Sequence, residues 1–290
     1  MTLLQSPHWP LLIDVYFFLG GLSGGAFVIA TVANLLDARR YRDVIRAGYY
    51  LAFATLLPCP VILIVDLGVP ARFLNMLLDF NPLSPMSMGA WALLAFSICA
   101  TLTALFTLLE DLGRVRDLSG PKIVAGGIGG FFGFFLAAYP GVLLGATARP
   151  LWINSHALGA LFLAVGAATG AAAMALVLLA AGRRSADSIG SLRVMTVLAL
   201  LIQILSVVLV VGFVAMSGSA ASIAALSELT NGRFALMFWL GAIVVGSALP
   251  LAIGLVDLRR GSAGLTAIAS ALVIVGGFVV KYVFLAAGQA

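Results

Sequence analysis

The sequence predicts an all-α integral membrane protein, a bundle of about eight transmembrane helices with both termini on the periplasmic side. Three observations carry that expectation. Of 290 residues, 62% are hydrophobic and 9% charged, whereas a soluble domain carries about a quarter charged residues to solvate its surface. Eight apolar runs reach the roughly 20 residues that a spanning helix needs. The basic residues, finally, gather in alternate connections between those runs.

The runs fall at about residues 11–36, 45–67, 88–109, 121–147, 155–181, 193–217, 233–257 and 264–286, with ends set to within about 2–4 residues. No stretch between them is polar enough to be a soluble domain, so residues 1–290 read as a single membrane domain. The first run lacks a basic flank and opens with Asp14, which marks it as a retained helix rather than a cleaved signal peptide. Pro58, Pro60, Pro140 and Pro250 lie inside runs, and each removes a backbone donor and should kink its helix. Gly20, Gly21, Gly24 and Gly25 form overlapping GxxxG spacings on the first helix, with Gly126, Gly129, Gly130 and Gly133 on the fourth. Such small residues let helix backbones approach closely in lipid.

Topology follows from the charges. Connections 1–2, 3–4, 5–6 and 7–8 hold twelve Lys or Arg residues, against Arg72, Arg149 and Arg233 in the loops of the other side. By the positive-inside rule the twelve face the cytoplasm, which puts the chain in a bacterial cytoplasmic (inner) membrane with its termini outside. The net charge of +5 is therefore a topology signal, with no nucleic-acid partner implied. Trp9, Trp91, Trp152 and Trp239 fall toward the outer helix ends, as an interfacial aromatic belt would. Cys59 and Cys99 sit inside apolar runs, too few to hold an iron–sulfur cluster or a structural zinc.

Ionisable residues inside membrane runs are expensive and mark functional positions. With this topology Asp14 and Tyr16 on the first helix, Asp66 on the second, Tyr139 on the fourth, His156 at the start of the fifth, and Lys281 and Tyr282 on the eighth all lie in the outer half. Each has a bland reading: Lys281 can snorkel, the tyrosines can be interfacial, His156 can belong to a cap, and Gln203 can be an interhelical hydrogen bond. Their convergence in one leaflet is the functional signal. It fits quinone chemistry, in which the protein hydrogen-bonds two carbonyls and exchanges two protons with one aqueous side. Tyr139, Tyr16, His156 and Lys281 are the expected quinone-binding residues, and Asp66 and Asp14 the expected proton-exchanging ones.

The stretch from Asp66 to Trp91, DLGVPARFLNMLLDFNPLSPMSMGAW, resembles the D-L-G-x-P-x-R-F … S-P-M-S-x-G-x-W signature of the NrfD/PsrC family, membrane subunits of polysulfide-reductase-type complexes. IDVYFFLGGLSGGAF on the first helix is similar to that family's glycine-rich opening helix, and YPGVLLGATARPLW, Tyr139 to Trp152, to its Y-P-G … R-P-L-W segment. The last three helices match in hydropathy and number. The resemblance implies a haem-free subunit that exchanges electrons between a membrane quinone (menaquinone or ubiquinone) and an iron–sulfur subunit, with a molybdopterin-type catalytic subunit beyond. It places Tyr139 against the quinone, Asp66 in the proton route, and Arg72 and Arg149 as loop anchors facing a partner. The first helix departs from the pattern: where some relatives carry His or Asn facing the quinone, this chain has Asp14 and Tyr16.

Two rivals are weaker. A di-haem subunit needs paired axial ligands, and the chain has only His8 and His156. A proton- or cation-coupled secondary transporter would place its ionisable residues near the midplane, whereas these gather near one face.

Overall fold

A computed structural model describes residues 9–67, 73–78, 80–115, 118–183 and 185–289. Among them, eight helical spans are long and apolar enough to cross a membrane. They are α1 (Leu11–Asp37), α2 with α3 (Arg42–Leu56 and Pro58–Asp66), α5 (Pro85–Asp111), α6 (Ser119–Gly145), α8 (Leu158–Ala180), α9 (Ala186–Met216), a π-helical segment continued by α11 (Met237–Ala248 and Leu249–Arg260), and α12 (Ala263–Ala287). Three short helices, α4 (Phe73–Leu78), α7 (Pro150–Ile153) and α10 (Ala220–Thr230), occupy connections that the sequence reads as loops. The chain is a polytopic, all-helical membrane protein, as expected. The main boundary difference is α9, which begins seven residues before the expected 193 because the polar turn ADSIGSLR continues the helix out of the apolar run.

The prolines act in three ways. Pro58 and Pro60 split the second span at Leu57. Pro140 is carried inside a continuous α6. Pro250 opens α11 and is preceded by the 12-residue π-helical segment. In an α-helix the amide of residue 250 would bond the carbonyl of residue 246; proline has none to offer. Gln203 of α9 supplies the missing donor, its amide nitrogen lying 2.9 Å from the Gly246 oxygen and 2.8 Å from Ser247 Oγ. Gln203 is thus an interhelical hydrogen bond.

Two helices form the interior. About three-quarters of the central window is buried in α1 (72%) and α8 (78%), against 22–50% in the other spans. Glycine makes this packing possible. A methyl group at Gly24 would collide with the Gly133 carbonyl of α6, and one at Gly25 with the Gly166 carbonyl of α8. In lipid there is little hydrophobic gain from helix association, so such backbone contact is the main attraction available.

The end where α1 passes into α2 carries the ion pairs. Arg40–Asp187, Arg46–Asp111, Lys122–Glu110, Arg183–Asp43 and Arg193–Asp257 tie together α2, α5, α6, α9 and α11 there, with the α1–α2 and α8–α9 connections. The last is the most enclosed. Asp257 is 1% exposed, pairs with Arg193 Nε at 2.8 Å and accepts from Thr266 Oγ1 at 2.5 Å and the Ser262 amide at 2.8 Å, while Arg193 Nε donates to Thr266 Oγ1 at 2.8 Å.

One sequence expectation is corrected. Trp152 is not part of an interfacial belt: it is fully buried, and its indole N–H donates to the Phe284 carbonyl of α12 at 2.9 Å. Short α7 folds it back into the bundle.

Two outcomes test this account. Gly25→Ala should lower stability in detergent by about 1–3 kcal/mol or more through overpacking, while Gly127→Ala, which meets nothing within 4 Å, should be neutral; thermal aggregation curves in one detergent compare them. Arg193→Met should cost about 3–5 kcal/mol by stranding Asp257. Arg40→Ala, in a pair exposed on both sides, should change the same curves little.

Candidate functional site

At the opposite end of the bundle the first turns of α1 face two ways. Residues three or four apart share a helix face, and residues two apart do not. Ile13 and Tyr16 share the face toward α3, α5 and α6, with Phe17 at its edge, while Asp14, two residues from Tyr16, points away. The first group walls a small cavity of about 80 Å³ together with Trp9, Leu63, Asp66, Leu67, Phe73, Met86, Gly89, Ala90, Tyr139 and Leu143.

Each motif of the sequence has a local physical role here. Ser84 caps α5, its hydroxyl accepting from the Ser87 amide at 3.5 Å, and Pro85 fills the first turn. Ser87 Oγ accepts in turn from the Asn81 amide at 3.1 Å, which ties the preceding loop to the helix. Gly89, one turn later, leaves the space in which the Tyr139 ring and hydroxyl sit. Tyr139 is stacked on Phe135 with centroids 5.7 Å apart and planes at 26°. Gly141 brings α6 against the backbone of Leu158 and Gly159 at the start of α8, which holds this turn in place. Of the DLGVPAR motif, Asp66 ends α3 and is exposed at the cavity; residues 68–72, including Arg72, lie outside the described residues.

Tyr16 and Tyr139 are almost entirely buried. Among the described residues neither hydroxyl has a hydrogen-bond partner, so both are free to meet a ligand. With Asp66 they give the cavity two phenolic donors and one carboxylate in otherwise apolar walls.

The other expected residues lie elsewhere. Asp14 is fully buried and lines a second, larger cavity of about 480 Å³ between α1 and α12, with Trp9, Arg233, Tyr282 and Gln289 among its walls. Lys281 does not snorkel. It is fully buried, donates to the Phe17 carbonyl at 2.7 Å, and lies 5.2 Å from the centre of the Phe162 ring in a niche left open by Gly21. His156 is exposed on the side of the bundle, edge-on to Phe213 at 5.5 Å, and lines neither cavity. The structure thus joins Tyr16, Asp66 and Tyr139, sets Asp14 and Lys281 behind them across α1, and leaves His156 apart.

Sequence reasoning reads Trp9 only as part of an aromatic belt and gives Gly89 no role of its own. Trp9 walls both cavities, and its backbone is clasped to the far end of the polypeptide by Gln289, which accepts from the Trp9 amide at 2.7 Å. Gly89 stood inside a quoted motif, but its partner is fifty residues away and no spacing rule links the two. Their dependence is measurable: Gly89→Ala should destabilise the protein by about 1–3 kcal/mol, and Tyr139→Ala should recover part of that loss in a double-mutant cycle. Independent, additive effects would contradict the contact.

Known proteins share this sequence over nearly its whole length. The family described as Polysulphide reductase, NrfD matches residues 3–290. The C subunit of the polysulfide reductase of Wolinella succinogenes is 30% identical over 308 residues, covering 97% of this protein and 94% of that one. The Protein NrfD homolog of Haemophilus influenzae is 26% identical over 305 residues, again 97% and 94% of the two proteins. A shorter match, 24% identity over 119 residues, is to the Hdr-like menaquinol oxidoreductase integral membrane subunit of Archaeoglobus fulgidus, covering 39% of this protein and 30% of that one. With its eight apolar spans and a match along nearly its whole length, the chain belongs to the NrfD family of multi-pass membrane proteins.

Proposed function

We propose that this protein is the haem-free, quinone-reactive membrane subunit of a multi-subunit oxidoreductase. It exchanges electrons between the membrane quinone pool and an iron–sulfur subunit docked on the site end of the bundle, with a molybdopterin-type catalytic subunit beyond. The observation that carries this reading is the cavity in which Tyr16, Tyr139 and Asp66 meet within apolar walls. Support also comes from relatives whose names describe subunits of polysulfide reductase and of a menaquinol oxidoreductase.

The residues present fit a quinone. Its carbonyl oxygens need donors, and two buried phenolic hydroxyls stand without protein partners among the described residues. A bound quinone supplies two-electron, two-proton redox chemistry. The protein's own part is to hold and to protonate: Tyr16 and Tyr139 donate hydrogen bonds, and Asp66 at the exposed end of α3 exchanges protons with water. The walls Ile13, Phe17, Leu63 and Leu143 exclude bulk water and strengthen those hydrogen bonds. About 80 Å³ is well below the roughly 300 Å³ or more of a pocket that encloses a small molecule. Admission therefore displaces wall residues, and the partly exposed Phe73 and Met86 are placed to yield.

The test is isolation of the native complex in mild detergent, with identification of copurifying subunits and extraction of quinone. Tyr139→Phe and Asp66→Asn should each lower quinone-linked turnover by about tenfold or more, with subunit composition unchanged. A quinone-free complex, or full turnover in both variants, would sink this reading.

A further inference from the structure

The cavity between α1 and α12 has a built polar feature that quinone binding leaves unused. Asp14 is fully buried, and neither of its carboxylate oxygens has a hydrogen-bond partner among the described residues. A buried polar group without a partner costs about 1–3 kcal/mol or more, so one facing a cavity calls for an explanation. The walls around it include Arg233, Tyr282 and Gln289, all partly exposed or exposed, so this cavity has a polar rim that opens at the site end of the bundle.

Behind Asp14 the polar groups continue across α1. Lys281 meets α1 at the Phe17 carbonyl, 2.7 Å away, three residues from Asp14 and next to Tyr16 in sequence. Tyr16 in turn shares its cavity with Tyr139. Gly21 keeps the niche for the Lys281 ammonium clear of side chain, and among the described residues the ammonium has one hydrogen bond, to the Phe17 carbonyl. An ammonium has three donors, so two remain for other partners. Asp14 at the larger cavity, Lys281 at the Phe17 carbonyl, and Tyr16 with Tyr139 at the smaller cavity thus gather around one turn of α1.

Resting on the quinone reading above, we propose that the Asp14 cavity is a proton vestibule: one of the two protons passes between its water and the Tyr16–Tyr139 cavity by way of Asp14 and Lys281, across α1, while the other exchanges through Asp66. Reduction of a quinone takes up two electrons and two protons. The electrons come from the reduced iron–sulfur group of the partner, one proton from Asp66 and the other from the vestibule, Lys281 passing it on and recovering a proton from Asp14. Oxidation of a quinol runs the same steps backwards. Asp14 and Lys281 are relay residues; neither touches the quinone.

The experiment uses the native complex with its bound quinone. Asp14→Asn should lower quinone-linked turnover about tenfold or more, with quinone content and subunit composition as in wild type. Added azide or formate, small acids that can enter through such a rim, should restore much of that turnover, and Asp14→Glu should retain it. Wild-type turnover in Asp14→Asn, or a slow variant that neither acid accelerates, would overturn the relay. Should Asp14→Asn not assemble, Ala286→Cys at the vestibule wall decides: labelling with a bulky, membrane-impermeant thiol reagent should stop turnover relative to the unlabelled variant. Unimpeded turnover after full labelling would overturn the relay. Failure of either test with quinone still bound and turned over leaves the quinone reading standing, whereas a wild-type complex without quinone-linked turnover removes both.

Discussion

The structure depends on how closely α1 approaches α6 and α8. Where the solvent is hydrocarbon, burying one more leucine gains little, because lipid is as apolar as the leucine. What holds the middle of the bundle is backbone against backbone, at Gly24 with Gly133 and at Gly25 with Gly166. Because no side chain separates these helices, the position of α1 is set within a narrow range. Everything at its N-terminal end inherits that position, including the two faces that carry Tyr16 and Asp14.

This constraint explains why one helix can border two chemically different spaces. On one side of α1, apolar walls surround three polar groups in a small cavity. On the other is a larger and more polar space with a buried carboxylate. Trp9 belongs to both walls, and it is fixed from the opposite end of the polypeptide through Gln289. A helix set by side-chain interdigitation could rotate by some tens of degrees and mix these environments. Glycine contacts on two neighbours at once leave less freedom to do so.

The parts of this design that can be read from sequence are those encoded along the membrane normal. Hydropathy gives the spans, and the alternation of arginine gives the depth of each polar residue; Tyr16, Asp66, Tyr139, Asp14 and Lys281 do lie toward one end. Azimuth is the missing coordinate. Asp14 and Tyr16 have nearly the same depth but are two residues apart, so they turn about 200° from each other around α1. His156 has the right depth and faces outward, against Phe213. Helical periodicity carries this information for α1, where Tyr16 shares a face with Ile13, but not which neighbour each face meets. The short α4, α7 and α10 are too brief for a periodic signal. The π-helical segment depends on Pro250 and on a donor from Gln203, forty-seven residues earlier, which no local pattern announces.

The ion pairs gather at the end of the bundle away from both cavities. Such a molecule resembles a set of rods clamped at one end. α5, which carries Glu110 and Asp111 at the clamped end and Met86 and Gly89 at the cavity, is 27 residues long, or about 40 Å at 1.5 Å per residue. A rod of that length pivoting about its clamped end moves its free tip by about 1 Å for a tilt of only about 1.4°. Opening a cavity at the free ends to admit a flat ring therefore asks for angular changes too small to unseat the arginine–carboxylate contacts. The clamp then acts as a fulcrum, and the leverage of long helices turns a slight splaying into the width that the ring needs.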